Sequence, residues 1–216
     1  MTTLSLSDII VFDLDDTLYK EVSFVKSGFN AIARHLNDYE YASELFDAWS
    51  NGNNAYLNLI TQHSLPNSIG ELLDVYRKHI PTITLESETE SVLDALIANG
   101  KTLGIISDGR SITQRNKIQA LGLTRWISED NIIISEEFGS PKPDKRNYEY
   151  FMSKYPSKSY SYIGDNTAKD FIAPNSLGWQ TICLRDNGQN IHTQDFGLNE
   201  VFLPHITITN LSDLIR

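Results

Sequence analysis

The sequence contains a single cysteine, Cys183, so no disulfide can form within the chain. Cys183 lies in a short apolar run, which favours a small buried side chain over a nucleophile. Basic residues are also scarce: 18 Lys and Arg against 28 Asp and Glu give a net charge of −10. A surface this acidic suits neither nucleic acid nor an anionic membrane, so we expect neither as a partner.

Long hydrophobic runs are absent as well. No apolar stretch approaches the roughly 20 residues that cross a bilayer. The first residues lack the basic segment and apolar stretch of a signal peptide, so we expect a cytoplasmic protein. The five histidines share no metal-ligand spacing, and nothing in the sequence indicates an oligomeric state.

The apolar run at residues 9–12 leads directly into Asp13, Asp15, Asp16 and Thr17. Such a run predicts a strand buried on both faces, as in a parallel sheet covered by helices on both sides. Ligands of these sheets bind at the carboxyl ends of the strands. Period-2 geometry places Asp13 and Asp15 on the same side, where a cation or a shared proton must offset their repulsion. The alternative is a polar turn in which Asp16 and Thr17 cap the next helix.

The remainder of the 216 residues divides into two patterns. Helical spacing without a convincing strand predicts an all-helical insertion over residues 18–84. Residues 1–17 and 85–216 then form an α/β core with right-handed crossovers and a parallel sheet. Its later strands are predicted at 102–106, 131–134, 160–163, 180–184 and 206–208, and its helices at 88–99, 111–121, 144–155 and 167–177, with Ser111 as one N-cap and Ser212 capping a final turn.

Further polar residues follow the strands of this core, and the strand ends of a parallel sheet converge on one edge. They are Ser107, Asp108 and Gly109, then Lys142, then Asp165 and Asp170. Taken singly, each could be a turn, a helix cap or a solvated loop residue. Together with Asp13 and Asp15, their order and spacing resemble the four motifs of the haloacid dehalogenase-like (HAD) hydrolase superfamily over essentially the whole chain.

The resemblance implies a Rossmann-like α/β core and a phosphoryl-transfer site. Asp13 would be the nucleophile, Asp15 the general acid and base, and Lys142 a catalytic cation. Ser107, Asp108 and Gly109 would bind the phosphate, aided by the dipole of the following helix. A Mg²⁺ ion would be held by the side chains of Asp13 and Asp165 and by the backbone carbonyl of Asp15, while Asp170 would act through water or orient Lys142.

A charge count independently favours a divalent cation. Asp13, Asp165, Asp170 and a phosphate dianion carry a combined charge of about −5 when each carboxylate is ionised. Lys142 offsets only one of these charges. The ligands are hard oxygens and the substrate is a phosphate, which suits Mg²⁺.

The helical insertion directly follows the first motif, which is the position of the type 1 cap in the superfamily. Such a cap excludes water and selects the leaving group, and residues 20–26 and 51–54 are candidates to face the substrate. Asp15 is absent from dehalogenases and phosphonate hydrolases of the superfamily, so its presence favours phosphate esters. Residues 14–19 and the spacing of Gln114, Lys117, Leu121 and Gly122 resemble bacterial phosphatases of small metabolites, although Asp108 stands where that family often has Asn.

The sequence therefore predicts a Mg²⁺-dependent phosphatase of small phosphorylated metabolites, such as nucleotides and sugar phosphates. Two alternatives remain. A phosphomutase of the same fold would return the phosphoryl group to its substrate and form or require a bisphosphate. A non-catalytic module would bind a phosphorylated metabolite without turnover, although pure binding does not need an acid–base residue such as Asp15.

Overall fold

The computed structural model describes residues 5–215. Its six strands form one parallel sheet in the order β3-β2-β1-β4-β5-β6. The predicted parallel α/β architecture is confirmed. The strands are β1 (Ile9–Phe12), β2 (Thr102–Ser107), β3 (Ile132–Ile134), β4 (Tyr160–Gly164), β5 (Gln180–Leu184) and β6 (Ile206–Ile208).

Nine α-helices occur within the described residues, joined by short 3₁₀ turns. The helices are α1 (Glu21–His35), α2 (Tyr41–Ser50), α3 (Ala55–His63), α4 (Ile69–Lys78), α5 (Ser87–Ala98), α6 (Ser111–Ala120), α7 (Ser135–Phe138), α8 (Arg146–Lys154) and α9 (Ile172–Ser176). Between residues 5 and 215, no helix combines the length and the apolar character needed to cross a membrane.

Strand β1 occupies the centre of the sheet because its side chains are apolar on both faces. Ile10 and Phe12 pack into one cluster with α5 and α6, whereas Ile9 and Val11 pack into a second cluster with aromatic residues of α8. β2 and β4 flank β1 on either side. The chain order reverses at this point, so the carboxyl ends of β1, β2 and β4 enclose a crevice suited to a ligand.

Helices α1–α4 lie between β1 and α5 in the chain and share a third apolar cluster. Seven buried side chains form it: Val25, Phe29, Ile32, Leu45, Ala55, Leu59 and Leu72. Two other residues of α1 and α4, Phe24 and Tyr76, pack against the cluster that contains β1. The helical segment therefore has a core of its own and also rests on the sheet-bearing part of the chain.

Several predicted helix limits differ from the structure. The helix expected from residue 167 begins only at Ile172, because residues 166–171 form a turn in which the Asp170 carboxylate accepts the Asn166 N–H at 2.9 Å. Ser111 is not an N-cap: it is the first residue of α6, Arg110 precedes it, and its hydroxyl donates to Glu137 at 2.6 Å. The final helical turn spans Leu211–Ile215, so Ser212 lies within it.

Candidate active site

The carboxyl edge of the sheet brings the predicted residues together. Asp13 directly follows β1, and its N–H donates to Ile163 of β4 at 2.8 Å. Asp165 directly follows β4, Ser107 ends β2, and Lys142 reaches the same edge from the loop between α7 and α8. Five of the predicted residues are buried: Asp13, Ser107, Lys142, Asp165 and Asp170.

Lys142 lies between two carboxylates. Its ammonium group contacts Asp13 at 2.6 Å and Asp170 at 2.8 Å, with its side chain fully buried. The amine also donates to the Tyr162 hydroxyl at 3.1 Å. Burial disfavours the ammonium form, but the carboxylates of Asp13 and Asp170 hold the pKa of Lys142 well above its ordinary value. Lys142 is therefore a permanent cation in contact with Asp13.

Asp13, Asp165 and Asp170 form a compact acidic cluster whose ligand oxygens all lie within 4.8 Å of one another. Burial, only partly offset by Lys142, and the neighbouring carboxylates raise the pKa of Asp13 to about 7. Burial and the charges of Asp13 and Asp170 raise the pKa of Asp165 to about 9. One lysine thus does not neutralise the cluster, and carboxylate oxygens in this spacing fit a divalent cation such as Mg²⁺.

Asp15 is held by three donors that the motifs did not predict. Tyr19 donates to Oδ1 at 2.5 Å, Lys117 contacts the same oxygen at 2.7 Å, and Gln114 donates to Oδ2 at 2.9 Å. Burial alone would raise the pKa of Asp15, but Lys117 and these hydrogen bonds bring it below its ordinary value. In this arrangement Asp15 is a fixed, ionised carboxylate beside Asp13.

The three residues that follow one another at the end of β2 make different contacts. The Ser107 hydroxyl accepts from Gln114 at 2.5 Å, so one side chain of α6 links Ser107 to Asp15. Gly109 has a φ of 146°, and its N–H donates to the Ser135 hydroxyl at 3.0 Å. A Cβ at this position would lie 3.1 Å from the Gln114 side chain, which explains why glycine is found here.

Asp108 is anchored by both of its carboxylate oxygens. One oxygen accepts a hydrogen bond from the backbone N–H of Lys142 at 2.9 Å, and the other contacts the Lys169 ammonium at 2.8 Å. The extra negative charge that the sequence places beside the phosphate motif therefore has a cationic partner. Lys169 belongs to the turn that also carries Asp170.

A cavity of about 100 Å³ opens onto these residues. Glu21, at the start of α1 and within the candidate range 20–26, is one of its lining residues. Residues 51–54 lie in the exposed turn between α2 and α3, and none of them is among the described residues that line the cavity. The lining residues are Asp13, Asp15, Asp16, Glu21, Asp108, Asp165, Asn166, Lys169 and His192.

The long loop after β5 contributes residues that sequence reasoning missed. Asn190 donates to the Asp165 carboxylate at 2.9 Å and accepts from Lys20 at 2.6 Å. Gln194 donates to the Asp165 carbonyl at 2.8 Å. No motif marks these positions. By contrast, Gln114 and Lys117 stand three residues apart on one helix face that also carries Ile118, a signal that could have pointed to their burial.

The fold and the cluster of carboxylates and lysine define a Rossmann-like α/β protein with an acidic site at the carboxyl edge of its sheet. The family described as haloacid dehalogenase-like hydrolase matches residues 10–184. The chain belongs to this family, and the resemblance inferred from the four motifs is confirmed.

Relatives with assigned activities cover most of the chain. The glyceraldehyde 3-phosphate phosphatase of Methanocaldococcus jannaschii is 27% identical over 190 residues, which cover 80% of this chain and 82% of the relative. The pyrimidine 5′-nucleotidase of Escherichia coli is 27% identical over 227 residues, with 96% of both chains covered. A Bacillus subtilis HAD hydrolase solved with bound magnesium shares the fold, with a TM-score of 0.69, 19% identity and 97% of both chains covered.

Proposed function

We propose that this chain is a Mg²⁺-dependent phosphatase that hydrolyses small phosphate monoesters, of the nucleotide or sugar phosphate class, through a phosphoaspartyl intermediate on Asp13. The observation that carries the proposal is the buried Asp13 carboxylate, 2.6 Å from Lys142 and within a cluster that also holds Asp165 and Asp170. The activities of the sugar phosphate phosphatase and the pyrimidine nucleotidase among its relatives support this substrate class.

The chemistry of the donor set supports a Mg²⁺ site at this cluster. The side chains of Asp13 and Asp165 and the backbone carbonyl of Asp15 would hold the ion. Mg²⁺, when bound, neutralises charge on the phosphoryl oxygens and helps to align the phosphate with Asp13. Asp170 would orient Lys142, since its carboxylate lies 2.8 Å from the Lys142 ammonium.

In the first half of the reaction, a carboxylate oxygen of Asp13 attacks phosphorus and the bond from phosphorus to the ester oxygen breaks. Asp15, whose ionised form is favoured in the free protein, takes up a proton when the negatively charged phosphate enters beside it. The leaving oxygen takes this proton from Asp15 and departs as an alcohol. In the second half, Asp15 removes a proton from water as the water oxygen attacks the acyl phosphate. Inorganic phosphate leaves, the Asp13 carboxylate is restored and Asp15 is protonated again. Lys142 and the Ser107 hydroxyl would hold the phosphoryl oxygens throughout.

Helices α1–α4 would act as a cap over the cavity, with residues 1–17 and 85–216 as the catalytic core. Glu21 supports this assignment because it lies in the first turn of α1 and lines the cavity beside Asp15. A cap in this place would exclude water while the acyl phosphate exists and would contact the leaving group.

The test is phosphate release from a panel of nucleotides and sugar phosphates, with Mg²⁺ and with a chelator. We expect release by the wild type only with Mg²⁺ and no turnover by Asp13→Asn, which keeps the side-chain shape but removes the nucleophile. Asp15→Asn should slow hydrolysis by roughly 10²- to 10⁴-fold, the usual contribution of a general acid or base.

Asp74→Asn, an exposed change on α4, serves as the matched control and should behave as the wild type. Full activity of Asp13→Asn would exclude the mechanism. Formation of a bisphosphate instead of free phosphate would identify a phosphomutase, and binding of esters without turnover would identify a binding module.

A further inference from the structure

Lys169 has an unusual position among the residues that line the acidic cavity. Six of the described lining residues are Asp or Glu, and Lys169 is the one Lys or Arg among them. Lys142 lies deeper, with its side chain fully buried and its ammonium engaged by Asp13 and Asp170. A phosphate dianion that enters the cavity therefore meets Lys169 as its accessible cationic side chain.

The contacts of Lys169 leave its ammonium group able to move. Its side chain is 32% exposed, and the polar partner that the structure gives its ammonium is one carboxylate oxygen of Asp108, at 2.8 Å. Asp108 itself is fixed from the other side by the Lys142 N–H at 2.9 Å. Lysine carries a compact charge on a flexible four-carbon chain, so Lys169 can turn from a fixed carboxylate to a nearby anion without any backbone change.

The two candidate partners of Lys169 differ in charge. Asp108 offers a single negative charge that it already shares with a backbone N–H, whereas a phosphate monoester carries about two negative charges at neutral pH and three acceptor oxygens. Charge-assisted hydrogen bonds to such an oxyanion are among the strongest in proteins. Left without Lys169, the Asp108 carboxylate would face the phosphate and repel it.

We propose that Lys169 binds the substrate phosphate at the mouth of the cavity, and that Asp108 holds Lys169 in the ligand-free state and competes with phosphate for it. This inference rests on the proposed phosphatase function, and it assigns a phosphate-binding role to a residue that lies within the fourth motif, between Asp165 and Asp170, but has no predicted role there. Asp108 then lowers the affinity for phosphate, although it lies within the phosphate-binding segment.

Substitutions of Lys169 and of Asp108 should change the affinity for inorganic phosphate in opposite directions. The affinity is measured by calorimetric titration of inorganic phosphate into the Mg²⁺-loaded protein. Lys169→Met should weaken phosphate binding by roughly 10- to 100-fold, the range typical for loss of a charged hydrogen bond. Asp108→Asn should tighten it several-fold, because Lys169 loses its competitor. The gain from Asp108→Asn should be smaller in the Lys169→Met background, because only the lost repulsion between Asp108 and phosphate then remains, and the difference measures the competition for Lys169.

Kinetics with one ester provide a second readout. Lys169 touches the phosphate both before and during the reaction, so Lys169→Met should raise KM with little change in kcat. Lys169→Arg retains the charge and should stay close to the wild type. Lys158→Met, an exposed change in the loop before β4, is the matched control and should alter neither binding nor kinetics.

Failure of the two proposals can be told apart. Wild-type phosphate release combined with unchanged phosphate binding in Lys169→Met would overturn the role of Lys169 and leave the phosphatase intact. Weaker binding in Asp108→Asn would overturn the competition, and this variant guards against misfolding because a gain of affinity cannot arise from unfolding. A wild type that neither binds phosphate nor hydrolyses any ester would overturn both proposals.

Discussion

At the scale of single residues, the Asp15 carboxylate is held in one orientation by the side chains that surround it. Lys117 is buried, contacts Asp15 at 2.7 Å, and lies 3.6 Å from Glu21 and 4.3 Å from the ring centre of Phe24. Glu21 and Phe24 both belong to α1. Lys117 therefore positions the proposed acid–base residue and at the same time contacts the helix that would begin the cap.

Removing the Lys117 amine should affect esters according to their leaving groups. In Lys117→Met the Asp15 carboxylate loses its charged partner and its fixed orientation. We expect kcat/KM for an alkyl phosphate to fall by roughly 10²-fold, as for loss of an aligned general acid. The loss for p-nitrophenyl phosphate should be much smaller, because its leaving group departs without a proton. Steady-state rates on both esters measure the difference.

Arg115→Met is the control for Lys117, since Arg115 lies on the same helix with its partners Glu129 and Glu137 on the surface. It should leave the ratio of the two esters unchanged. An equal loss on both esters in Lys117→Met would show that Lys117 supports the structure and does not position Asp15. Retained activity on the aryl ester also reports that the variant is folded.

At the scale of secondary structure elements, the strands were far easier to predict than the helix limits. Residues 9–12 are apolar on both faces, which is enough to define a central strand and to place Asp13 at its end. The order of the motifs, together with the convergence of strand ends at one edge of a parallel sheet, also predicts that Lys142, Asp165 and Asp170 lie near Asp13. The start of α9 could not be predicted, because it depends on a turn closed by the Asp170 side chain onto the Asn166 N–H.

The contacts of three site residues could not be predicted from the sequence, for one common reason. Lys117, Lys169 and Asn190 come from a helix face, a turn and a long loop, and their contacts with Asp15, Asp108 and Asp165 depend on how distant elements pack. From the sequence alone, charged and amide side chains at such positions are expected to be exposed to solvent.

Packing of α1 against α4 gives a prediction for the helical segment. A Cβ on Gly28 of α1 would lie 2.3 Å from ring atoms of Tyr76 in α4. Tyr76 cannot easily move away, since its ring also packs against Phe24, Phe29 and Tyr56. Gly28→Ala should therefore lower the free energy of unfolding by about 1–3 kcal/mol, although alanine is the better helix former. Urea denaturation measures the change.

Gly70→Ala supplies the opposite case in the same segment. A Cβ on Gly70, in the first turn of α4, would lie 3.7 Å from its nearest neighbour, the Ser68 hydroxyl. Helix propensity then acts alone, and the change should be neutral or stabilise by up to about 1 kcal/mol. Stabilisation by Gly28→Ala would contradict the close contact between α1 and α4.

At the scale of the whole molecule, the buried carboxylates tie stability to pH and to the cation. The pKa values of about 7 for Asp13 and about 9 for Asp165 lie above the ordinary value of 3.8. Between the ordinary and the raised values, the folded state binds more protons than the unfolded state. The contribution of these two groups to stability is therefore complete below about pH 4 and declines as the pH rises towards about 9.

In chelator, the wild type should lose stability on the order of a few kcal/mol relative to Asp165→Asn as the pH rises from about 5 to about 9. The difference between the wild type and Asp165→Asn reports this carboxyl group together with its repulsion of Asp13 and Asp170, because the amide cannot ionise. Mg²⁺ should remove most of the decline, since it binds the ionised carboxylates of the folded state. Urea denaturation at each pH, with Mg²⁺ and with chelator, measures both effects. Parallel pH profiles for the two chelated proteins would show that the cluster carries no uncompensated charge, and the electrostatic argument for a divalent cation would then fail.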